Sequence, residues 1–482
     1  MFNLKAIQKP TSSILFILLF FSISAAYAQE GYKIEFHVKG LQDTTVYLGN
    51  FHGESTYVKD TARVDAQGKF TFAKAEKLKK GVYFLVLERS RVFDFVIGED
   101  QSFKIETDAS DYIGKMKVTG DEDNRLFNEN MLFNQARNKE ANPYFQVVRD
   151  SSIIGEKRKQ AQAALDQINN KVIAYQDEII EKHPDAVLAK IFKANKRVDI
   201  PKPPVKADGS VDSAYSFYFY RNHYWDNFDL GDETLLGLPE PVYRKKMTDY
   251  FERLVTQHPD SIIAEVDRLA AVAEKNEETY RYFIWNLLLN YQAPKIMGQD
   301  AVFVHIYDKY FDSGKMDYWA NSSLKKNLKD HSDKLRKSLI GSNAPNLIMQ
   351  DVNLKPQSLY DLQHDFTVIY FYDPDCGHCK KETPKLKQFF DETKFDVGIY
   401  AVCADTSIVK MKDYIQEMNM TWTNVNGPRS YVGDYHKLYD AATTPTIYLL
   451  DNRKKIIAKK IGAEQLEGFL SNYKRSEPAG SN

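Results

Sequence analysis

Cys376 and Cys379 stand three positions apart, with Gly377 and His378 between them. Two thiols at that spacing interconvert between dithiol and disulfide, and the thiolate is the nucleophile. The run Phe366 to Tyr372 just before them is rich in β-branched and aromatic residues and short enough for a buried strand. Lys380 to Phe390 then reads as a helix. A strand feeding a helix places Cys376 at the helix N-terminus, where unpaired N–H groups and the dipole favour an anion. A protonated His378 adds to that stabilisation, whereas the carboxylate of Asp375 opposes it.

The segment Asp373-Pro374-Asp375-Cys376-Gly377-His378-Cys379-Lys380-Lys381-Glu382-Thr383-Pro384 resembles the active-site segment of thioredoxin-fold oxidoreductases. Pro384, five residues after Cys379, stands where thioredoxins kink the active-site helix. Thr443-Thr444-Pro445-Thr446, just before a strand Ile447 to Leu450, is similar to their cis-proline loop. Lys380-Lys381-Glu382-Thr383-Pro384 and Gly341 to Leu347 resemble the TlpA/ResA branch and the AhpC/TSA-related, peroxidase-like domains. The resemblance covers residues 340 to 474 and implies a C-terminal α/β thioredoxin fold. It implies that Cys376 forms a mixed disulfide with a protein substrate, that Cys379 resolves it, and that Pro445 and the Thr444 backbone align the substrate. It also implies a membrane redox partner that recycles the couple.

Three departures from that pattern matter. Thioredoxin's buried carboxylate, six residues before the first cysteine, is replaced by Tyr370, which leaves its role to Glu382 or to water. Asp375 replaces the usual Trp. The Gly-His dipeptide is that of protein disulfide isomerases, so reductase, oxidase and isomerase all stay open.

The first 28 residues read as a secretory signal peptide: Lys5 and Lys9, the apolar stretch Ile14 to Phe21, then Ala26-Tyr27-Ala28 as cleavage site. The expectation is a soluble periplasmic protein. Removing Lys5 and Lys9 takes 65 cationic against 66 anionic residues to 63 against 66, a net charge of −3. That near-neutrality points away from nucleic acid or an anionic membrane as partner. Three cysteines in 482 residues do not make a disulfide-stapled scaffold, which favours catalysis for the pair. Cys403, after an apolar run, reads as a small buried side chain, with an accessory thiol as the alternative.

Alternating segments between Tyr32 and Val118, separated by turns such as Asp65-Ala66-Gln67-Gly68, predict an antiparallel β-sandwich over residues 29–120. From 121 to 336 the period becomes helical, predicting an all-α middle domain. Within it Ala161, Leu165, Ile168, Val172, Tyr175 and Ile179 form a stripe spaced 4, 3, 4, 3, 4, better suited to intramolecular packing than to a long coiled coil. Residues 337–476 are assigned to the thioredoxin-like domain and 477–482 to a disordered tail. Pro201 to Ser210 is a loop, and His183-Pro184-Asp185 and His258-Pro259-Asp260 punctuate helices. The aromatic stretch Tyr215 to Phe228 suits internal packing more than a binding surface.

No Gly-rich phosphate loop, G-x-S-x-G elbow or helical His pair occurs, so neither cofactor nor metal is expected. A thiol peroxidase is the rival enzyme, although Asp373 stands where its Thr is expected. Copper delivery wants cysteines one position further apart. A non-catalytic envelope binding or assembly module is the rival outside enzymes. The oligomeric state is open.

Overall fold

The computed structural model describes residues 31–205 and 208–476. The signal peptide expected at 1–28 and the tail expected at 477–482 lie outside the described residues. By packing, the chain divides into two compact units, one of Tyr57–Asn170 with the residues before Phe51, the other of Phe51–Thr56 with the residues from Lys171 on.

Among the described residues the N-terminal region holds eight strands: β1 (Tyr32–Lys39), β2 (Thr45–His52), β3 (Ser55–Arg63), β4 (Lys69–Lys74), β5 (Gly81–Leu87), β6 (Ser90–Ile97), β7 (Ser102–Asp108) and β8 (Lys117–Thr119). They form two four-stranded sheets in the orders β4-β1-β7-β8 and β3-β2-β5-β6. Alternate residues of both sheets, among them Ile34, Phe36, Phe72, Leu48, Leu85 and Phe95, meet in one core. This period-2 burial is what the sequence alternation dictates. The pairing of β1 with β7 is parallel, whereas β1 with β4, β2 with β5 and β5 with β6 are antiparallel. Helix α1 (Glu122–Arg149) begins at the Asp121 cap, and the buried Asn124 amide exchanges two hydrogen bonds with the Val96 backbone of β6. Helix α2 (Glu156–Lys182) carries the heptad stripe, with Ala161, Ile168 and Ile179 buried.

The second unit continues with α3 (Val187–Asn195), α4 (Tyr215–Asn222), α5 (Val242–Arg253), α6 (Pro259–Ala273), α7 (Glu277–Gln292), α8 (Asp300–Ile306) and α9 (Ser322–Arg336). His258 caps α6 with Pro259 in its first turn, whereas Pro184 lies in the turn before α3, which starts after Ala186. In the aromatic stretch, Tyr224 and Phe228 are buried against Tyr250 and Tyr243, while Phe217 and Tyr218 are exposed.

Then come β9 (Ile348–Asp351), β10 (Pro356–Ser358), β11 (Phe366–Tyr372), α10 (Gly377–Glu392), β12 (Val397–Cys403), α11 (Ile408–Glu417), β13 (Thr423–Ser430), β14 (Thr446–Asp451), β15 (Ile456–Lys459) and α12 (Leu466–Ser476). Seven strands make one mixed sheet, β10-β9-β13-β12-β11-β14-β15. β11, β12 and β13 run parallel, with β14 antiparallel to β11. Every residue of β11 and β12 is buried, as expected for strands covered on both faces. Val368, Tyr370 and Tyr372 face α10, α11 and α12, and Ile369 and Phe371 face the opposite core with Tyr400, Tyr439 and Tyr448. Within this unit the buried Lys459 of β15 pairs with Asp300 of α8 and donates to the Ser338 carbonyl. Among the described residues no helix is long and apolar enough to cross a membrane.

Candidate active site

The site forms where β11 ends and α10 begins. Parallel pairing of β11 with β12 brings Tyr372 beside Cys403, and the chain then turns through Asp373, whose carbonyl accepts from Cys376 N–H at 3.1 Å. Cys376 is the N-cap of α10: its Sγ accepts from Cys379 N–H at 3.3 Å, filling the place usually taken by a Ser or Asp oxygen. Both cysteines are thiols here, Cys376 partly exposed and Cys379 fully buried.

The two thiols are driven in opposite directions. Burial pushes the Cys376 thiol up, but hydrogen bonds from Cys379, from the Thr444 side chain and from the His378 backbone outweigh it, and the net effect is a lowered value. For Cys379 burial wins, and its thiol is pushed up to about 12 although its Sγ accepts from Asp373 N–H at 3.5 Å. One sulfur is thus prepared as a nucleophile and its neighbour is kept protonated.

Across from the pair, the Thr444–Pro445 peptide is cis, and the Cys376 thiol donates to the Thr444 carbonyl at 3.3 Å. Gly377 and His378 are exposed in the first turn of α10, and no side-chain atom stands within 4 Å of where a Gly377 Cβ would lie. Pro384 sits inside α10, where it removes an N–H from the ladder. Thus Cys376, Cys379, Thr444 and Pro445, far apart in sequence, converge at one end of the sheet.

Two of the sequence-selected acids have partners of their own. The Glu382 carboxylate accepts from Ala463 N–H at 2.6 Å and pairs with Lys385, so it anchors the chain ahead of α12. Asp375 does stand beside Cys376, but Lys410 of α11 reaches its carboxylate at 2.6 Å and that of Asp405 at 3.2 Å. The ammonium offsets the charge that would otherwise oppose the thiolate. The carboxylates of Asp373, Asp375 and Asp405 gather within 4.8 Å of one another around that contact. No local signal marks Lys410, 35 residues from Asp375, as part of the site.

Cys403 is fully buried at the end of β12, and burial pushes its thiol up to about 12. Where thioredoxin has its buried acid, Tyr370, Thr383 and Tyr414 join hydroxyls beneath Cys379.

Three stretches of the chain match known families. Residues 340–459 match the AhpC/TSA family, residues 32–127 a domain of unknown function, DUF4369, and residues 157–333 another, DUF5106. The chain is 29% identical over 139 residues to the thiol-disulfide oxidoreductase ResA of Bacillus cereus, spanning 28% of this chain and 78% of that protein. It is 27% identical over 134 residues to ResA of Bacillus subtilis, 28% of this chain and 73% of that one. Among solved structures, a domain of a possible thiol-disulfide isomerase from Cytophaga hutchinsonii is 36% identical, with a TM-score of 0.27 over 29% of this chain and 95% of that domain.

Proposed function

From the premise that the chain carries a thioredoxin-like domain of the AhpC/TSA kind and is a thiol-disulfide oxidoreductase, we propose that Cys376 and Cys379 are the couple through which it exchanges disulfides with protein substrates in the periplasm. The observation that carries the reading is the geometry of the pair: a partly exposed Cys376 at the N-cap of α10, its Sγ accepting from the N–H of a fully buried Cys379, opposite the cis Thr444–Pro445 peptide.

In this mechanism the Cys376 thiolate attacks one sulfur of a substrate disulfide and the other sulfur leaves as a thiol. Cys379 then loses its proton and attacks the Cys376 sulfur of the mixed disulfide. The second substrate sulfur departs with a proton, and Cys376–Cys379 is left oxidised, two electrons having passed to the substrate. Run backwards, the same steps oxidise a dithiol. Thr444 holds an extended substrate by its backbone beside Pro445, and His378, Gly377, Asp375 and Glu382 tune the couple. A membrane redox partner restores the working state. The reading divides the chain into a β-sandwich at 29–120, a helical domain at 121–336 and the thioredoxin-like domain at 337–476, the first two selecting the substrate or the assembly partner.

The test is the equilibrium reduction potential of the mature protein in a glutathione series, followed by the mass of alkylated cysteines. A potential near about −270 mV makes the protein a reductase and one near about −180 mV an isomerase or oxidant. Absence of any cycling at Cys376 and Cys379 sinks the oxidoreductase mechanism in favour of a binding module.

A further inference from the structure

Beneath the cysteine pair lies a closed group of three hydroxyls from three different elements. Thr383 Oγ1 of α10 stands 2.8 Å from Tyr370 OH of β11 and 2.8 Å from Tyr414 OH of α11, and it donates to the Cys379 carbonyl at 2.9 Å. All three residues are at most 2% exposed. Tyr372 lies between the two tyrosine rings, stacked on Tyr370 at 5.5 Å and on Tyr414 at 5.1 Å. Such a group is costly to bury unless every member is satisfied, and here one oxygen serves as hub for the other two.

We propose that the Tyr370–Thr383–Tyr414 hydroxyl group positions and stabilises the Cys379 thiolate as it forms in the resolving step, in place of a buried carboxylate. The inference rests on the reading that Cys379 resolves the mixed disulfide. A threonine has one hydrogen, and the Cys379 carbonyl can only accept, so with Thr383 donating there both tyrosines donate to Thr383. When negative charge appears on Cys379 Sγ, one tyrosine hydroxyl rotates toward the sulfur. Thr383 keeps its other partners, so no buried polar atom is orphaned by the change. The Cys379 S–H bond breaks, its electron pair forms the new bond to Cys376 Sγ, and the proton it gives up passes through solvent to the leaving substrate sulfur.

Tyr370 and Tyr414 pack in the same buried core as Cys379. The other titratable groups facing the cluster are Cys376 and Glu382 of α10, Glu417 of α11, and, through Tyr372, Cys403 of β12. Hydroxyls carry no charge of their own, so the resting Cys379 stays a thiol. The resolving rate then climbs with pH through 7 to 9 without the inflection that a buried acid would add.

The experiment uses the full reduced chain and the aromatic disulfide 5,5′-dithiobis(2-nitrobenzoate), whose coloured thiolate is released once on attack by Cys376 and again when Cys379 resolves. Tyr370→Phe with Tyr414→Phe, and separately Thr383→Val, should slow the second release about tenfold, the worth of one hydrogen bond to a charged group. The first release should stay within about twofold, and Thr383→Ser should restore the second. A second phase unchanged in both variants, or both phases slowed alike with a lowered melting temperature, overturns the proposal. Absence of any first phase in the unsubstituted protein would instead defeat the reading of the cysteine couple on which it rests.

Discussion

Treating the reduced, folded chain with iodoacetamide at neutral pH should modify Cys376 long before its two companions. Cys379 and Cys403 titrate at about 12, three decades above the 9.0 of an ordinary thiol, and Cys376 lies below that value. Each decade costs tenfold in thiolate, so at neutral pH the buried pair carries about a thousandth of an ordinary thiol's nucleophile. A more basic thiolate is intrinsically more reactive, with a Brønsted coefficient of about 0.4–0.5, which returns about 15- to 30-fold. The net selectivity from ionisation alone is therefore about 30- to 60-fold, before burial hinders the reagent. Timed quenching and peptide mass analysis read all three sites in one experiment. Cys376 labelling should also level off at a lower pH than that of a free cysteine, because its thiolate forms earlier. Modification of Cys379 or Cys403 within about tenfold of Cys376, in protein that keeps its near-ultraviolet dichroism, would falsify the assignment of roles.

Three further outcomes follow from the surroundings of the site. Lys410→Met removes the ammonium paired with Asp375, so Cys376 should titrate at higher pH and label roughly two- to fivefold more slowly at neutral pH, a difference that salt erases; no change at low salt would leave Lys410 a bystander. Lys459→Met strands Asp300 in a site where both side chains are at most 6% exposed, at a cost of about 3–5 kcal/mol in urea unfolding. Adding Asp300→Leu should recover most of that loss, and a single variant costing under about 1 kcal/mol contradicts the argument. Burial pushes the Asp440 carboxyl up, but Lys334 and Lys460 outweigh it and hold it at about 2. A lowered carboxylate stabilises the fold above its ordinary range and loses that contribution as pH falls toward 2, so Asp440→Asn should cost about 2 kcal/mol at neutral pH and almost nothing near pH 2. Equal costs at both pH values would refute the coupling.

Which parts were legible follows from which parts are local. β11 announced itself as a continuous apolar run because it is buried on both faces, and β1 and β4 showed period-2 alternation because one face of each meets the sandwich core. β3 carries no such mark: Ser55–Arg63 is exposed along most of its length, and pairing with β2 makes it a strand. Glu382 was legible as a candidate acid from its place in the motif, but its hydrogen bond from the Ala463 N–H, 81 residues on, was not. Thr383 was within reach, being four residues from Cys379 on the same helix, but its two tyrosine partners were not.

By itself the sequence determined the dithiol, the strand that leads into it, the helix that begins at it and the proline loop that resembles its counterpart in thioredoxins. These rest on interactions within one turn of helix or one strand, whose spacing is written directly in residue order. The tertiary structure decided how deeply Cys379 is buried, what offsets Asp375 and what lies beneath Cys379. Each of those depends on desolvation and on hydrogen bonds between elements that parallel crossovers bring together, with Lys410 35 residues from Asp375 and Tyr414 31 from Thr383. Desolvation is a property of the whole packed sheet and its covering helices, and no local stretch of residues carries it.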